Sequence, residues 1–149
     1  MQILAATMKI LLLDDNKMNN LLLGRVLKAL GFSSVSFTKS QEALDQIAAE
    51  RAKGDAFDVL FCDVIMPGNL NGDDVIKRIR ASEKPKGQSL NPLAKLDHPL
   101  TIVSLTSMAS AKSETMIRDL GADFFITKPI NKFVLEKLMK EVTGKLAKN

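Results

Sequence analysis

An α/β fold, with a doubly wound parallel sheet and helices on both faces, is what the sequence predicts, on three observations. Five short strand-like runs are each followed by a stretch whose apolar residues recur at helical spacing, and right-handed crossovers between parallel strands put such helices on both sides of a sheet. The first run, Ile10-Leu11-Leu12-Leu13, is apolar throughout rather than alternating, as a strand buried on both faces requires. A chain of 149 residues with 46% in the hydrophobic set suffices for one domain with a sizeable core.

Each element has its own signal. After the first strand, Leu22, Leu23, Val26, Leu27 and Leu30 recur at helical spacing from Asn19 to Leu30, and Gly31 supplies a stop. Val35 to Phe37 reads as the second strand, and Ser40 as the cap of a helix carrying Ala43, Leu44, Ile47 and Ala48. Phe57 to Cys62 is the third strand. Beyond the break at Pro67 and Gly68, Asn71 or Asp73 caps a helix with Val75, Ile76 and Ile79 on its apolar face. Leu100 to Leu105 is the fourth strand, and Ser110 starts a helix with Met116, Ile117 and Leu120, ended by Gly121. Phe124 to Ile126 is the fifth strand, and Asn131 opens a last helix bearing Val134, Leu135, Leu138 and Val142. Residues 83–98, with two Pro, one Gly and mixed charges, interrupt this rhythm and read as an inserted surface loop. Residues 1–8 read as an N-terminal arm, natural or an expression remnant, and 9–147 as a single domain.

Composition narrows the function. The formal charge of +4 comes from scattered basic residues, and there is no Trp or Tyr to stack on bases, so no direct nucleic-acid contact is expected. The opening MQILAATMKILLL runs into Asp14 and Asp15 without a basic leader or cleavage pattern, and no run has the length of a membrane span. A single cysteine, Cys62, fits a reducing compartment and a cytoplasmic location, and reads as a small buried strand residue. His98 has no Cys or His partners for zinc.

Function gathers at the carboxyl ends of strands in doubly wound sheets. There the first strand presents Asp14 and Asp15, the third Asp63, the fourth Thr106 with Ser107, and the fifth Lys128 before Pro129. Three converging carboxylates repel one another unless a cation shares them, and an all-oxygen set favours Mg²⁺ or Mn²⁺ over Zn²⁺. Lys128 adds a point charge and Thr106 a hydroxyl donor, which together describe a receptor for a phosphoryl group. A carboxylate can itself be the nucleophile. Asp63 stands alone at the end of its run and is the candidate, with Asp14 and Asp15 as the metal-holding pair.

In this order, LLLDDN, FCDVIMP, SLTSMA and ITKP resemble the receiver domain of two-component response regulators. Each motif alone also reads as a strand-to-helix turn or a helix cap. The set, spaced 48 residues from Asp15 to Asp63, 43 to Thr106 and 22 to Lys128, is specific, and covers the chain from about Lys9 to about Lys145. The resemblance implies a flavodoxin-like five-stranded sheet of order 2-1-3-4-5. It implies Asp63 as phosphoacceptor, Asp15 as direct metal ligand, Asp14 acting on the metal mainly through water, and the Ile65 backbone carbonyl as a further ligand. Thr106 would touch the phosphoryl group, Lys128 would pair with it, and Phe125 would be the aromatic of the switch. The implied donor is a phosphohistidine on a histidine kinase or histidine phosphotransfer protein. The implied downstream target is a protein meeting the face from the fourth helix to the fifth strand, and the expected state is a monomer or weak dimer. Such a domain is a signalling module rather than an enzyme. DDNKMNN further resembles receivers attached to hybrid histidine kinases, which points to a phosphorelay, with this receiver stand-alone or one part of a hybrid kinase.

Some positions depart from the receiver pattern. Met66-Pro67 is followed by Gly68, Asn69, Leu70 and Asn71 before Gly72, about two residues more than usual, which is expected to bear on the Ile65 carbonyl and on Mg²⁺ affinity. Ile65 and Met108, two positions beyond Asp63 and Thr106, cannot orient an attacking water, so slow self-dephosphorylation is expected. Phe125 lacks the hydroxyl of a Tyr. Asp73 and Asp74 read as helix N-terminal charges, and Met108, Met116 and Met139 as packing residues. The alternative from another class is a Mg²⁺-dependent phosphohydrolase with an Asp nucleophile, but its usual second Asp is replaced by Ile65. A flavodoxin-like cofactor binder would need a phosphate-binding loop after the first strand, where none is present.

Overall fold

The computed structural model of the chain describes residues 7–66, 68, 70–83, 99–107 and 111–147. Of the predicted loop at 83–98, Glu83 instead closes the third helix, and residues 84–98 with His98 lie outside the described residues, as do residues 1–6 of the arm, Pro67, Asn69, Met108 and Ser110. Strands β1 (Ile10–Leu13), β2 (Ser34–Phe37), β3 (Val59–Asp63), β4 (Thr101–Thr106) and β5 (Phe124–Thr127) alternate with helices α1 (Lys17–Ala29), α2 (Ser40–Ala52), α3 (Gly72–Glu83), α4 (Ala111–Leu120) and α5 (Lys132–Ala147). All strand pairs are parallel and the order is β2-β1-β3-β4-β5, as expected.

Successive side chains of a strand point to opposite faces, and here they feed two cores. Ile10, Leu12, Val59, Phe61, Val103 and Leu105 pack with Leu23 and Leu27 of α1 and Leu135, Met139 and Val142 of α5. Leu11, Leu13, Leu60, Cys62 and Ile102 face the other way, onto Ala43 and Ile47 of α2, Val75, Ile76 and Ile79 of α3, and Ile117 of α4. Both faces of β1, β3 and β4 are buried throughout, which explains why these runs show no polar alternation.

Helical periodicity located the helices but overestimated their apolar stripes. Leu22 of α1 is 52% exposed, Val134 of α5 43% and Met116 of α4 59%, and Ala48 of α2 is also exposed. Buried positions in α1 fall at 20, 23 and 27 and in α5 at 135, 138, 139 and 142, so a residue one step off that stripe turns to solvent. Met116 is therefore not a packing residue, whereas Met139 is. Two expected caps also differ. Lys39 occupies the N-cap of α2, and Ser40 lies inside the helix with its hydroxyl donating to the Leu70 carbonyl at 2.7 Å. The Asn71 side chain turns back to accept from the Met66 N–H at 2.9 Å instead of capping α3, while Asp73 lies with Asp74 inside the first turn of α3, as expected of helix N-terminal charges, its side chain accepting from the Asp74 N–H. Asn131 does cap α5, accepting from the Val134 N–H at 2.8 Å, and Gly31, with φ +96°, ends α1.

At the amino ends of β4 and β5 the guanidinium of Arg80 gathers several partners. It donates to the Leu100 and Gly121 carbonyls and pairs with Glu83 (2.6 Å) and Asp123 (2.8 Å). Glu83 also accepts from the Leu100 N–H, and Asp123 from the Ile102 N–H and Lys145. The end of α3, the start of β4 and the turn into β5 are thus clasped by one side chain, on the side of the sheet away from the acidic residues.

Candidate functional site

The opposite edge, at the carboxyl ends of the strands, brings the predicted residues together. The β3 ladder runs one residue further than expected, through Asp63 paired in register with Leu105, so the nucleophile candidate is itself a strand residue. Asp14 follows β1 and is 3% exposed, Asp63 is 8% exposed, and Asp15 faces solvent. One oxygen from each of these three carboxylates lies within 4.8 Å of the others. Thr106 closes β4 and is buried, with its carbonyl accepting from the Lys128 N–H. Lys128 places its ammonium 2.9 Å from Asp14 Oδ2 and 3.3 Å from Asp63 Oδ2.

The charges are not evenly served. Burial disfavours a charged Lys128, but the hydrogen bond to Asp14 and the two carboxylate charges outweigh this and hold it above the ordinary lysine value. Asp63 moves above the usual carboxylate range, because burial and then the Asp14 charge outweigh Lys128 and the hydrogen bond from the Ile65 N–H. Lys128 is shared between two acids and stands closer to Asp14, which leaves Asp63 the less compensated. Cys62, wholly buried next to Asp63, is pushed strongly upward by desolvation and is an inert packing thiol, as expected.

Three asparagines of α1 and its cap organise the first acid. Asn16 caps the helix through the Met18 and Asn19 N–H groups, and its own N–H donates to Asp14 Oδ1 at 2.9 Å. Asn19 Nδ2 donates to Asp14 Oδ2 at 3.2 Å. Asn20 is buried, and its Nδ2 donates to the Asp14 carbonyl at 3.1 Å and the Phe37 carbonyl at 3.0 Å, joining the ends of β1 and β2. Sequence reasoning read the start of the DDNKMNN run as a turn and helix cap, which Asn16 supplies, and the whole run as a likeness, but gave Asn19 and Asn20 no role. The usable signal was that Asn16, Asn19 and Asn20, three and four apart, turn back toward the strand end from which the helix departs.

Behind Asp63 the chain folds back on itself. The Gly72 N–H donates to the Val64 carbonyl at 2.8 Å, and a Cβ built on Gly72 would collide with the Asp63 carbonyl oxygen and lie 2.8 Å from the Val64 Cα. Gly72 is not in the left-handed region; close approach alone requires glycine. With the bond from the Met66 N–H to Asn71, both ends of the lengthened turn are tied, and Ile65 is left 52% exposed beside the acids. Phe125 is half-buried against the α2–α3–α4 core.

A slot of about 390 Å³ runs from Asp14 and Lys128 beneath α1. Leu22, Leu23, Val26, Pro129 and Ile130 are among its apolar walls, and Met18 and Leu21 add exposed apolar surface on the same helix. The donor set suits a hard divalent cation: carboxylate oxygens of differing exposure, no thiol or imidazole among them, and a lysine ammonium drawn in between two of them.

The family model described as response regulator receiver domain matches residues 10–140. The sensor protein GacS of Pseudomonas syringae pv. syringae is 31% identical over 141 residues, which is 95% of this chain and 14% of that protein. Among solved structures, a putative response regulator from Chloroflexus aurantiacus superimposes with a TM-score of 0.70 at 26% identity, covering 92% of this chain and 98% of that one. The co-crystal structure of the Saccharomyces cerevisiae histidine phosphotransfer signaling protein Ypd1 with the receiver domain of its downstream response regulator Ssk1 gives 0.69 at 27% identity, covering 91% of this chain and 86% of that one.

Proposed function

Because this chain belongs to the response regulator receiver domain family of two-component and phosphorelay signalling, we propose that Asp63 is its phosphoacceptor, taking a phosphoryl group from a phosphohistidine. The observation that carries this reading is the convergence of Asp14, Asp15 and Asp63 with Lys128 at one edge of the sheet. An Asp63 carboxylate oxygen attacks phosphorus, an O–P bond forms, the N–P bond breaks, and its electron pair stays on the departing imidazole. Lys128 and the Thr106 hydroxyl stabilise the transferred oxygens. Asp15, Asp63 and the Ile65 carbonyl would hold Mg²⁺ or Mn²⁺, with Asp14 acting mainly through water, and the ion would neutralise the acids and share charge with the phosphoryl group.

Residues 9–147 act as one receiver unit with an insertion between α3 and β4, stand-alone or within a hybrid-kinase relay, in the reducing, cytoplasmic setting that a lone buried cysteine suits. Among the described residues no helix is long and apolar enough to cross a membrane. The donor, a histidine kinase or phosphotransfer protein, docks on Met18, Leu21 and Leu22 and the slot beside them, which are apolar, exposed and continuous with the site. Phe125 and Thr106 carry the switch to a target on the α4–β5 face. Ile65, exposed beside the acids, and Met108, by its residue type alone, offer attacking water no base, which makes the acyl phosphate long-lived.

Incubation with acetyl phosphate and Mg²⁺ should add one phosphoryl group by mass, located at Asp63 after borohydride reduction and peptide mapping. No mass gain, or gain elsewhere, overturns the reading. Leu22→Glu should slow uptake from a phosphorylated histidine phosphotransfer protein about tenfold by removing an apolar contact, and leave uptake from acetyl phosphate unchanged; equal loss with both donors would place Leu22 in the site's folding instead of in docking.

A further inference from the structure

Lys128 has two tasks that conflict. It is hydrogen-bonded to Asp14 Oδ2 at 2.9 Å, whereas to stabilise a phosphoryl group on Asp63 it must turn toward that group. Leaving takes a direct hydrogen bond from the Asp14 carboxylate, which is 3% exposed, and an ion acting on Asp14 mainly through water would not replace that bond. We propose that Asn19 is the positioning residue that lets Lys128 leave, an inference that rests on the phosphoacceptor reading of Asp63. Asn19 Nδ2 donates to the same Oδ2 that Lys128 holds, and the Asn16 N–H holds Oδ1, so Asp14 keeps a donor on each oxygen after the lysine has moved.

The type of residue matters as much as its place. Asn19 stands in the first turn of α1, five residues from Asp14, and is only partly buried. Its amide offers a hydrogen bond without a charge. A lysine or arginine there would bind the acids permanently and compete with an incoming cation, while an apolar residue would leave Oδ2 to Lys128 alone. Asn19 touches neither the reacting carboxylate nor the transferred group in this geometry; it acts through Asp14.

The test uses beryllofluoride with Mg²⁺ on the whole chain, comparing wild type with Asn19→Ala. The half-saturating beryllofluoride concentration should rise about fivefold, the equivalent of one net hydrogen bond, while thermal melting in EDTA falls by less than that loss, because Lys128 then still holds Oδ2. The Lys128 Cε–Hε NMR signals should move on beryllofluoride addition in wild type and, at the same concentration, remain largely at their metal-free position in Asn19→Ala. Unchanged affinity overturns the inference, as does a melting loss in EDTA that matches the affinity loss, which would mark a purely structural residue. If the wild type itself ignores beryllofluoride, the phosphoacceptor reading fails. The Asn19 contact is then judged without metal, by whether its side-chain amide resonances shift in Asp14→Ala; no shift removes the contact and the inference with it.

Discussion

Asp63→Asn should lose phosphoryl uptake from acetyl phosphate altogether and still melt, in EDTA, no lower than the wild type. The loss follows from chemistry: an amide oxygen is too weak a nucleophile to form the acyl phosphate. The retained stability follows from electrostatics. Burial and the neighbouring Asp14 push the Asp63 carboxyl above its usual range, so ionised Asp63 burdens the metal-free fold. Asn is nearly isosteric and removes that burden, and Lys128 keeps its closer partner, Asp14, at 2.9 Å. Mass spectrometry and differential scanning calorimetry check the two halves separately. A large drop in melting temperature would show that the Lys128–Asp63 pair at 3.3 Å holds the fold more than its geometry indicates.

Gly72→Ala should be the most damaging single-methyl change near the site, costing about 3 kcal/mol in urea unfolding, at the upper end for an overpacked position. The new methyl would meet backbone, the Asp63 carbonyl oxygen and the Val64 Cα, and backbone cannot yield by changing a rotamer. Relief requires either α3 to back away, which opens the contact of Val75, Ile76 and Ile79 with the sheet, or the end of β3 to shift, which moves Asp63 itself. Phosphoryl uptake should therefore fall along with stability. Gly144→Ala is the control, because a Cβ on Gly144 meets nothing within 4 Å. An equal response in both variants would mean that helix propensity, not the approach to Asp63, governs Gly72.

The strand ends and the five motif residues were legible because each is local: an apolar run ends, and the polar residue after it has to sit at the sheet's edge. Asp14, Asp15, Asp63, Thr106 and Lys128 needed only the strands and their parallel arrangement. What a side chain does once there was less legible. Ser40, Asn71 and Asp73 all carry capping chemistry, yet long-range partners such as the Leu70 carbonyl, or turn N–H groups such as that of Met66, take up Ser40 and Asn71. Leu22 and Met116 have the hydrophobicity of core residues and differ from their buried neighbours Leu23 and Ile117 only by about 100° around a helix. Lys128 reads in sequence as a partner for phosphate, and its hold on Asp14 is visible only when residues 114 apart are brought together. Arg80 gave no signal at all, since its partners come from three separate segments of chain.

That Arg80 clasp bears on how this chain can vary. Through Arg80 and Glu83, the last turn of α3 is already hydrogen-bonded to Leu100 at the threshold of β4, so the two described ends, Glu83 and Leu100, are held together at one doorway. Lengthening a loop whose ends are held elsewhere costs little, about 0.6 kcal/mol for each doubling. The doorway also opens at the far edge from Asp63. Length is therefore nearly free there, whereas any residue added between Ile65 and Gly72 must still let Gly72 return onto the Asp63 and Val64 backbone, so the two edges of the sheet accept growth on different terms.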